Sequence, residues 1–264
     1  MENFNLTFKQ RLHELLSCNT ASITFNEDNA PSDKIEKDLE LYINSLNKKS
    51  NYLTHSNLET WIDHRHNYPT VHPHHQKILD VIKEINPASV CELGAGAGQV
   101  SKYVYAANPE VDLTCVEFAE SHYKQMLENF DSRSTVLNPD VKVKANTINA
   151  SAHNLKNLID DDSQELVYTC TLVMHLPYLI ALSVACEIAR ISSKYVLHIE
   201  NPNDIINTVS VGDVKNEGIE HNLNGLTIDY KSLYEKLGFE CVFNDTVKDP
   251  YADCNYVYFL AKKK

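Results

Sequence analysis

Apolar and polar residues alternate along this chain in a way that predicts strands and helices in turn from residue 76 onward. A short apolar run predicts a buried strand over 88–93, and further strands are predicted over 112–117, 141–148, 165–171, 194–200, 239–246 and 255–260. Apolar residues at helical spacing predict helices over 76–85, 98–107, 119–130, 177–192 and 229–237. This alternation favours right-handed crossovers and a doubly wound, mostly parallel α/β sheet of seven strands, covered by helices on both faces.

The first 75 residues follow a different pattern. Residues 1–17 and 34–46 each carry apolar side chains on one helical stripe, whereas residues 51–75 are polar and rich in histidine. We therefore predict two units: a helical N-terminal extension or cap over residues 1–75, and a ligand-binding α/β domain over residues 76–264.

Composition narrows the range of partners. The net charge of −12 over 264 residues disfavours binding to nucleic acids or to anionic membrane surfaces. The chain shows neither a secretory signal nor an apolar run of transmembrane length, and its seven cysteines form no C-x-x-C pair. We expect a cytoplasmic protein with reduced thiols, and a homodimer stays open.

Three of the seven glycines follow the first predicted strand, as Gly94, Gly96 and Gly98. The dinucleotide fingerprint G-x-G-x-x-G is not matched, because the third glycine comes one residue early, and no Lys-Ser/Thr pair follows as in a P-loop. Glu92 directly before the glycines would repel a pyrophosphate and suits a cationic ligand. Glu117, at the end of the second strand, is placed to accept hydrogen bonds from ribose hydroxyls.

These two segments, Glu92–Gly98 with the sequence ELGAGAG and the pair Val116-Glu117, resemble motifs of the class I S-adenosylmethionine-dependent methyltransferase family. By element order the resemblance extends over residues 76–264. It implies S-adenosylmethionine as the cofactor. The residues that it places around this cofactor are Glu92, Leu93, Gly94, Ala95, Gly96, Gly98, Glu117, Phe118, Ser151, Ala152 and Thr171.

One of these positions departs from the family pattern. Ser151 stands where the family usually has an aspartate that holds the adenine amino group. Serine can accept the same hydrogen bond more weakly, and Asn149 is an alternative. Ordinary loop polarity explains these residues equally well.

The resemblance also indicates where an acceptor would bind. Residues 171–177, TLVMHLP, are similar to the family's fourth motif, which lies beside the transferred methyl group, and His175 is the candidate general base. The alternative is a histidine that only packs this loop. We assign Glu200 and Asn201 to the acceptor pocket, although a solvated strand end is the simpler interpretation. The upstream residues assigned to the acceptor are Trp61, Arg65 and Tyr68.

Five of the twelve histidines lie between His64 and His75. Asp63 is the only carboxylate near them, no cysteine is close, and their spacing matches no familiar zinc pattern, so we expect no metal. A polar linker with exposed histidines is the alternative to a role in the acceptor pocket.

We therefore expect methyl transfer to an oxygen or nitrogen of a small polar metabolite. Sugar derivatives and phosphorylated amino alcohols are favoured by the resemblance alone. Three alternatives stay open: a protein methyltransferase, a non-catalytic partner protein that keeps cofactor binding, and an NAD-dependent oxidoreductase.

Overall fold

A computed structural model describes residues 71–131, 141–176, 178–200, 228–249 and 255–264, without the side chains of residues 175 and 178–180. Its strands are β1 Ser89–Leu93, β2 Asp112–Glu117, β3 Asn146–Asn149, β4 Gln164–Cys170, β5 Ser192–Glu200, β6 Phe239–Lys248 and β7 Asn255–Lys263. Its helices are α1 Pro73–Ile85, α2 Gln99–Ala107, α3 Glu120–Asp131, α4 Tyr178–Ile191 and α5 Tyr230–Lys236, and a 3₁₀ turn covers Val173–His175.

The seven strands form one sheet in the order β3-β2-β1-β4-β5-β7-β6. The first five strands are parallel, whereas β7 runs antiparallel to both β5 and β6. The prediction of a doubly wound, mostly parallel sheet is confirmed. The predicted extension over residues 1–75 lies outside the described residues, apart from 71–75.

Two apolar cores cover the two faces of the sheet, because successive side chains of a strand point to opposite faces. On one face, Leu93 of β1 packs in a cluster with Ile188 of α4 and Tyr234 of α5. On the other face, Val90 of β1 packs in a cluster with helices α1, α2 and α3 through residues such as Ile78. The central strand β1 is buried throughout, which agrees with its mostly apolar sequence, SVCEL.

The third strand is shorter than the sequence predicts. Residues 141–145 alternate apolar and polar side chains like a half-buried strand, yet only Asn146–Asn149 pairs with β2. This strand lies at the sheet edge and has β2 as its one neighbour, whose paired stretch begins at Thr114. The Val143 amide instead donates to the Phe130 carbonyl of α3, at 3.0 Å.

The topology places the functional elements along one edge of the sheet. The carboxyl ends of β1 to β5 share this edge, and β6 runs in the same direction because it is antiparallel to β7. Ligands of doubly wound sheets bind beyond these carboxyl ends. Within the described part of the chain, no helix is long and apolar enough to cross a membrane.

Candidate cofactor and methyl-transfer site

The glycine loop connects β1 to α2 through three residues in the left-handed region. Gly94, Gly96 and Gly98 have φ angles of +75°, +55° and +77°, respectively. The amides of Gly94 and Ala95 donate to the Val116 carbonyl of β2 at 2.9 and 3.0 Å, so the loop is fixed to the neighbouring strand. Gly98 is the N-cap of α2, and its own amide donates to the Ala95 carbonyl at 2.8 Å.

Two of the three glycines are required by packing, and the third faces open space. A Cβ atom at Gly98 would lie 2.5 Å from the Phe130 ring, and one at Gly94 would lie 2.7 Å from Leu172 Cδ1. At Gly96 a Cβ atom would meet nothing within 4 Å. The loop therefore leaves room for a ligand to approach its backbone at Gly96.

Glu117 ends β2 directly beside this open position. Its Oε2 accepts a hydrogen bond from the Gly96 amide at 2.8 Å, and its Oε1 accepts one from the Ala119 amide at 2.7 Å. Burial raises the pKa of the Glu117 carboxyl, while the amide donors oppose that shift. Phe118, the next residue, exposes 39% of its surface. The Glu117 carboxylate thus borders the space at Gly96.

Glu92 lies in β1, two residues before the first glycine of the loop. Its carboxylate is buried in β1 and accepts a hydrogen bond from the Ser101 hydroxyl of α2. Burial raises the pKa of Glu92 to about 7, and the Ser101 bond opposes this shift. Glu92 therefore ties the strand to the following helix, and its predicted interaction with a cationic ligand stays a prediction. Leu93 is fully buried in the core, and Ala95 is 6% exposed.

Asn149 connects the carboxyl end of β3 to that of β2 by hydrogen bonds. This residue is in register with Glu117, and its side-chain amide donates to the carbonyls of Glu117 and Phe118 at 2.8 and 3.1 Å. Ser151 follows, with its hydroxyl 2.6 Å from Nδ1 of His153. Burial lowers the pKa of His153 to about 4. Ala152, between them, is buried.

Glu200 stabilises the loop after β4 by accepting hydrogen bonds from its backbone amides. Thr171 opens the loop with a φ angle of +57°, and the amides of Leu172 and Met174 donate to the two Glu200 carboxylate oxygens at 3.1 and 3.2 Å. Glu200 is 1% exposed, and burial raises its pKa to about 7. The 3₁₀ turn of this loop ends at His175, whose side chain lies outside the described part of the structure.

A buried chain of polar side chains supports Glu200. The Thr169 hydroxyl donates to Glu200 Oε1 at 2.7 Å and lies 2.7 Å from Nδ1 of His198. His198 Nε2 lies 2.7 Å from the Tyr234 hydroxyl of α5. Burial lowers the pKa of His198 to about 3, so the imidazole is neutral at physiological pH. The sequence did not predict this series of hydrogen-bonded side chains; its only indication was a histidine and a threonine inside apolar strands.

The structure brings together several residues that the sequence assigns to one site. Gly96 and Glu117 are in direct contact, Asn149 binds the backbone beside Glu117, and Glu200 holds the loop that leads to His175. Four residues assigned to the acceptor lie outside the described residues: Trp61, Arg65, Tyr68 and Asn201. The acceptor role of Glu200 stays a prediction.

Comparison with known proteins gives a structural likeness and no sequence relative. No protein-family model matches the chain, and no curated protein sequence matches it. Magnesium protoporphyrin IX methyltransferase from Synechocystis PCC 6803, solved with S-adenosylhomocysteine, superposes with a TM-score of 0.57 at 10% identity, covering 81% of this chain and 97% of that one.

A second solved methyltransferase structure shows a similar likeness to this chain. The 1,6-didemethyltoxoflavin-N1-methyltransferase of Burkholderia thailandensis, bound to 1,6-didemethyltoxoflavin and S-adenosylhomocysteine, has a TM-score of 0.56 at 13% identity, with coverage of 89% and 91%. The chain has the fold of the class I S-adenosylmethionine-dependent methyltransferases. At these identities the likeness establishes the fold, and the activity has to be argued from the site.

Proposed function

We propose that this protein is a methyltransferase that binds S-adenosylmethionine at the carboxyl edge of β1 and β2 and methylates an oxygen or nitrogen of a small polar metabolite. The observation that carries the proposal is the Glu117 carboxylate beside the open space at Gly96. The methyltransferase fold supports it, because this strand end is the ligand-binding edge of such sheets.

The residues present fit this cofactor. Gly96 leaves its backbone accessible, Glu117 offers two carboxylate oxygens for the ribose hydroxyls, and the partly exposed Phe118 ring offers an apolar surface for the adenine. Ser151, or Asn149 as the alternative, is the proposed partner of the adenine amino group. When bound, S-adenosylmethionine supplies an electrophilic methyl group on a sulfonium.

On the acceptor side, the loop after β4 is the proposed position of the reacting group. Glu200 accepts hydrogen bonds from the backbone amides of Leu172 and Met174, and this fixes the turn that ends at His175. We propose His175 as the base that takes the acceptor proton, since a neutral imidazole can do so near pH 7. Acceptor positioning relative to the methyl group supplies the rest of the rate enhancement.

The cofactor site is tested by Glu117→Ala with S-adenosylhomocysteine as the ligand in calorimetric titration. Removal of the carboxylate takes away charge-assisted hydrogen bonds to the ribose, so the dissociation constant should rise roughly 10–100-fold. Glu110→Ala is the matched control, because Glu110 is an exposed residue just before the opposite end of the same strand.

The Glu117 side chain also accepts two backbone hydrogen bonds, so its removal affects the loop as well. Glu117→Gln keeps the size of the side chain and one acceptor oxygen, and circular dichroism with thermal unfolding shows which variants are folded. A folded Glu117→Ala protein that binds S-adenosylhomocysteine as tightly as Glu110→Ala does would refute the placement of the ribose.

The acceptor class is tested separately with a panel of small molecules and a radiolabelled methyl donor. Sugar derivatives and phosphorylated amino alcohols come first, as the resemblance suggests, and a panel of peptides tests protein methylation. Methyl incorporation into peptides alone would overturn the small-molecule part of the proposal and leave the cofactor site intact.

A further inference from the structure

Three potential metal ligands from distant parts of the chain meet at the carboxyl edge of the sheet. His72 and His74 lie at the start of α1, and Asp249 directly follows β6. Each offers one ligand atom, and these atoms all lie within 4.8 Å of one another. The sequence pointed away from a metal in the histidine-rich segment because no suitable carboxylate was close, but the fold brings Asp249 to it.

The His74 ring is fixed by a polar partner at each of its two nitrogens. Its Nε2 lies 2.9 Å from Asp249 Oδ2, and its Nδ1 lies 2.7 Å from the Tyr258 hydroxyl of β7. His74 is 3% exposed and Asp249 is 7% exposed, and the Tyr256 ring centroid lies 3.8 Å from the His74 ring centroid. A metal ion at Nε2 would replace the proton that Nε2 donates to Asp249, and Nδ1–H would then donate to the Tyr258 hydroxyl, as the second nitrogen of a metal-bound histidine typically does to an outer partner.

His72 adds the second imidazole. It is the N-cap of α1, and its Nδ1 accepts a hydrogen bond from the His74 amide at 3.3 Å. Burial and the neighbouring His74 lower the pKa of His72 to about 4. Burial also lowers the pKa of His74, although Asp249 opposes that shift. The ligand atom of His72 lies within 4.8 Å of those of His74 and Asp249, and this geometry completes the cluster.

We propose that His72, His74 and Asp249 bind one divalent transition-metal ion of the Zn²⁺ class. Two imidazoles and one carboxylate are a ligand set that suits Zn²⁺, and three protein ligands leave a coordination position for water. Metal–ligand bonds of about 2.0–2.2 Å put tetrahedral ligand atoms roughly 3.4 Å apart. On binding, His74 Nε2 and Asp249 Oδ2, which are 2.9 Å apart, would separate slightly, while the wider gaps in the cluster, of up to 4.8 Å, would close. We expect the His72 ring to make most of this movement, because it is half-buried whereas His74 and Asp249 are buried.

The bound ion would join the first turn of α1 to the end of β6. These two elements lie 175 residues apart in the chain at the His74–Asp249 contact. A link between such distant segments stabilises the folded chain, because the complete ligand set exists only in the folded state. The proposal goes beyond methyl transfer and does not depend on it.

The test is titration of tag-free protein with Zn²⁺ after removal of bound metal by a chelator. We expect about one ion per chain by calorimetry and by elemental analysis after desalting. Zn²⁺ at 100 times its dissociation constant should raise the melting temperature by roughly 5–10 °C.

Two variants remove ligands with little change in shape. His72→Asn keeps a capping side chain at the start of α1, and Asp249→Asn keeps the size of the acid. Each should weaken Zn²⁺ binding at least tenfold, which at the same Zn²⁺ concentration reduces the thermal shift to about half of the parent's or less. Tyr258→Phe removes only the outer partner of His74 and should weaken binding roughly 10–100-fold.

Other histidines serve as controls. His122→Ala removes one histidine from α3, and the double change of His64 and His66 to alanine removes two upstream histidines. Both proteins should bind Zn²⁺ like the parent chain. Absence of Zn²⁺ binding by the parent protein would overturn the proposal. Binding that survives in His72→Asn and Asp249→Asn, or is lost with His64 and His66, would overturn it too.

Discussion

Substitution of Gly96 by alanine separates the stability of the glycine loop from its capacity to hold a ligand. Gly96 has a φ of +55°, and an L-residue in the left-handed region costs about 1–2 kcal/mol. The added methyl group meets no atom within 4 Å, so no clash is added to that cost. The free energy of unfolding should therefore fall by only about 1–2 kcal/mol, or roughly 2–8 °C in melting temperature.

Ligand binding should respond much more strongly. The new methyl group occupies the space beside Glu117 that we assign to the nucleoside, so the affinity for S-adenosylhomocysteine should fall at least tenfold. Calorimetric titration measures the affinity, and urea unfolding measures the stability of the same preparation.

Gly238→Ala is the matched control for this substitution. Gly238 has a φ of +91°, a Cβ atom there also meets nothing within 4 Å, and it lies in the turn between α5 and β6, at the sheet edge opposite the glycine loop. It should lose stability to a similar degree and bind S-adenosylhomocysteine normally. If Gly96→Ala binds as well as Gly238→Ala does, the open space at Gly96 is not the cofactor's, and our reasoning about the loop fails.

Three further predictions concern the loop after β4 and its support. In the folded protein Glu200 has a pKa of about 7, against 4.5 as its ordinary value, so it keeps a proton that the unfolded chain releases. This contribution to the free energy of unfolding is complete below pH 4.5 and is lost as the pH rises through 7. Between pH 5 and pH 8 the free energy of unfolding of the parent protein should therefore fall by about 3 kcal/mol relative to that of Glu200→Gln. If urea unfolding gives parallel pH profiles for the two proteins, the raised pKa is contradicted. Tyr234→Phe leaves His198 Nε2 without its hydroxyl partner in the core, so the free energy of unfolding should fall by about 1–3 kcal/mol, and an unchanged urea midpoint would count against the buried chain. His175→Ala should keep its affinity for S-adenosylhomocysteine and lose roughly 10²–10⁴-fold in methyl-transfer rate with an accepted substrate, and full activity would exclude it as the base.

The strands and helices of the sheet were predictable because most of them carry an unambiguous pattern. β1 and β2 have apolar side chains on both faces and are buried almost throughout, and their observed bounds lie within one residue of the predicted ones. The edge strand β3 was predicted too long. Its alternation continues through residues 141–145, where the partner strand offers no pairing and the Val143 amide bonds to α3 instead.

The contact between the glycine loop and Glu117 was predictable, because each of the two lies in a short segment with a recognisable pattern. The glycines and Glu117 lie at the ends of adjacent strands, and parallel pairing brings them together. The support of the second loop depends on contacts across 26–31 residues, from Thr169, Leu172 and Met174 to Glu200. No local pattern reveals such contacts, and the same holds for Asp249, which lies 175 residues from His74.

The central claim is that the glycine loop and Glu117 bind S-adenosylmethionine. The most direct measurement is calorimetric titration of the purified protein with S-adenosylhomocysteine, with NAD in a parallel titration. We predict saturable binding of S-adenosylhomocysteine at one site per chain and no binding of NAD. Binding of NAD without binding of S-adenosylhomocysteine would contradict it and would identify the site as a dinucleotide site.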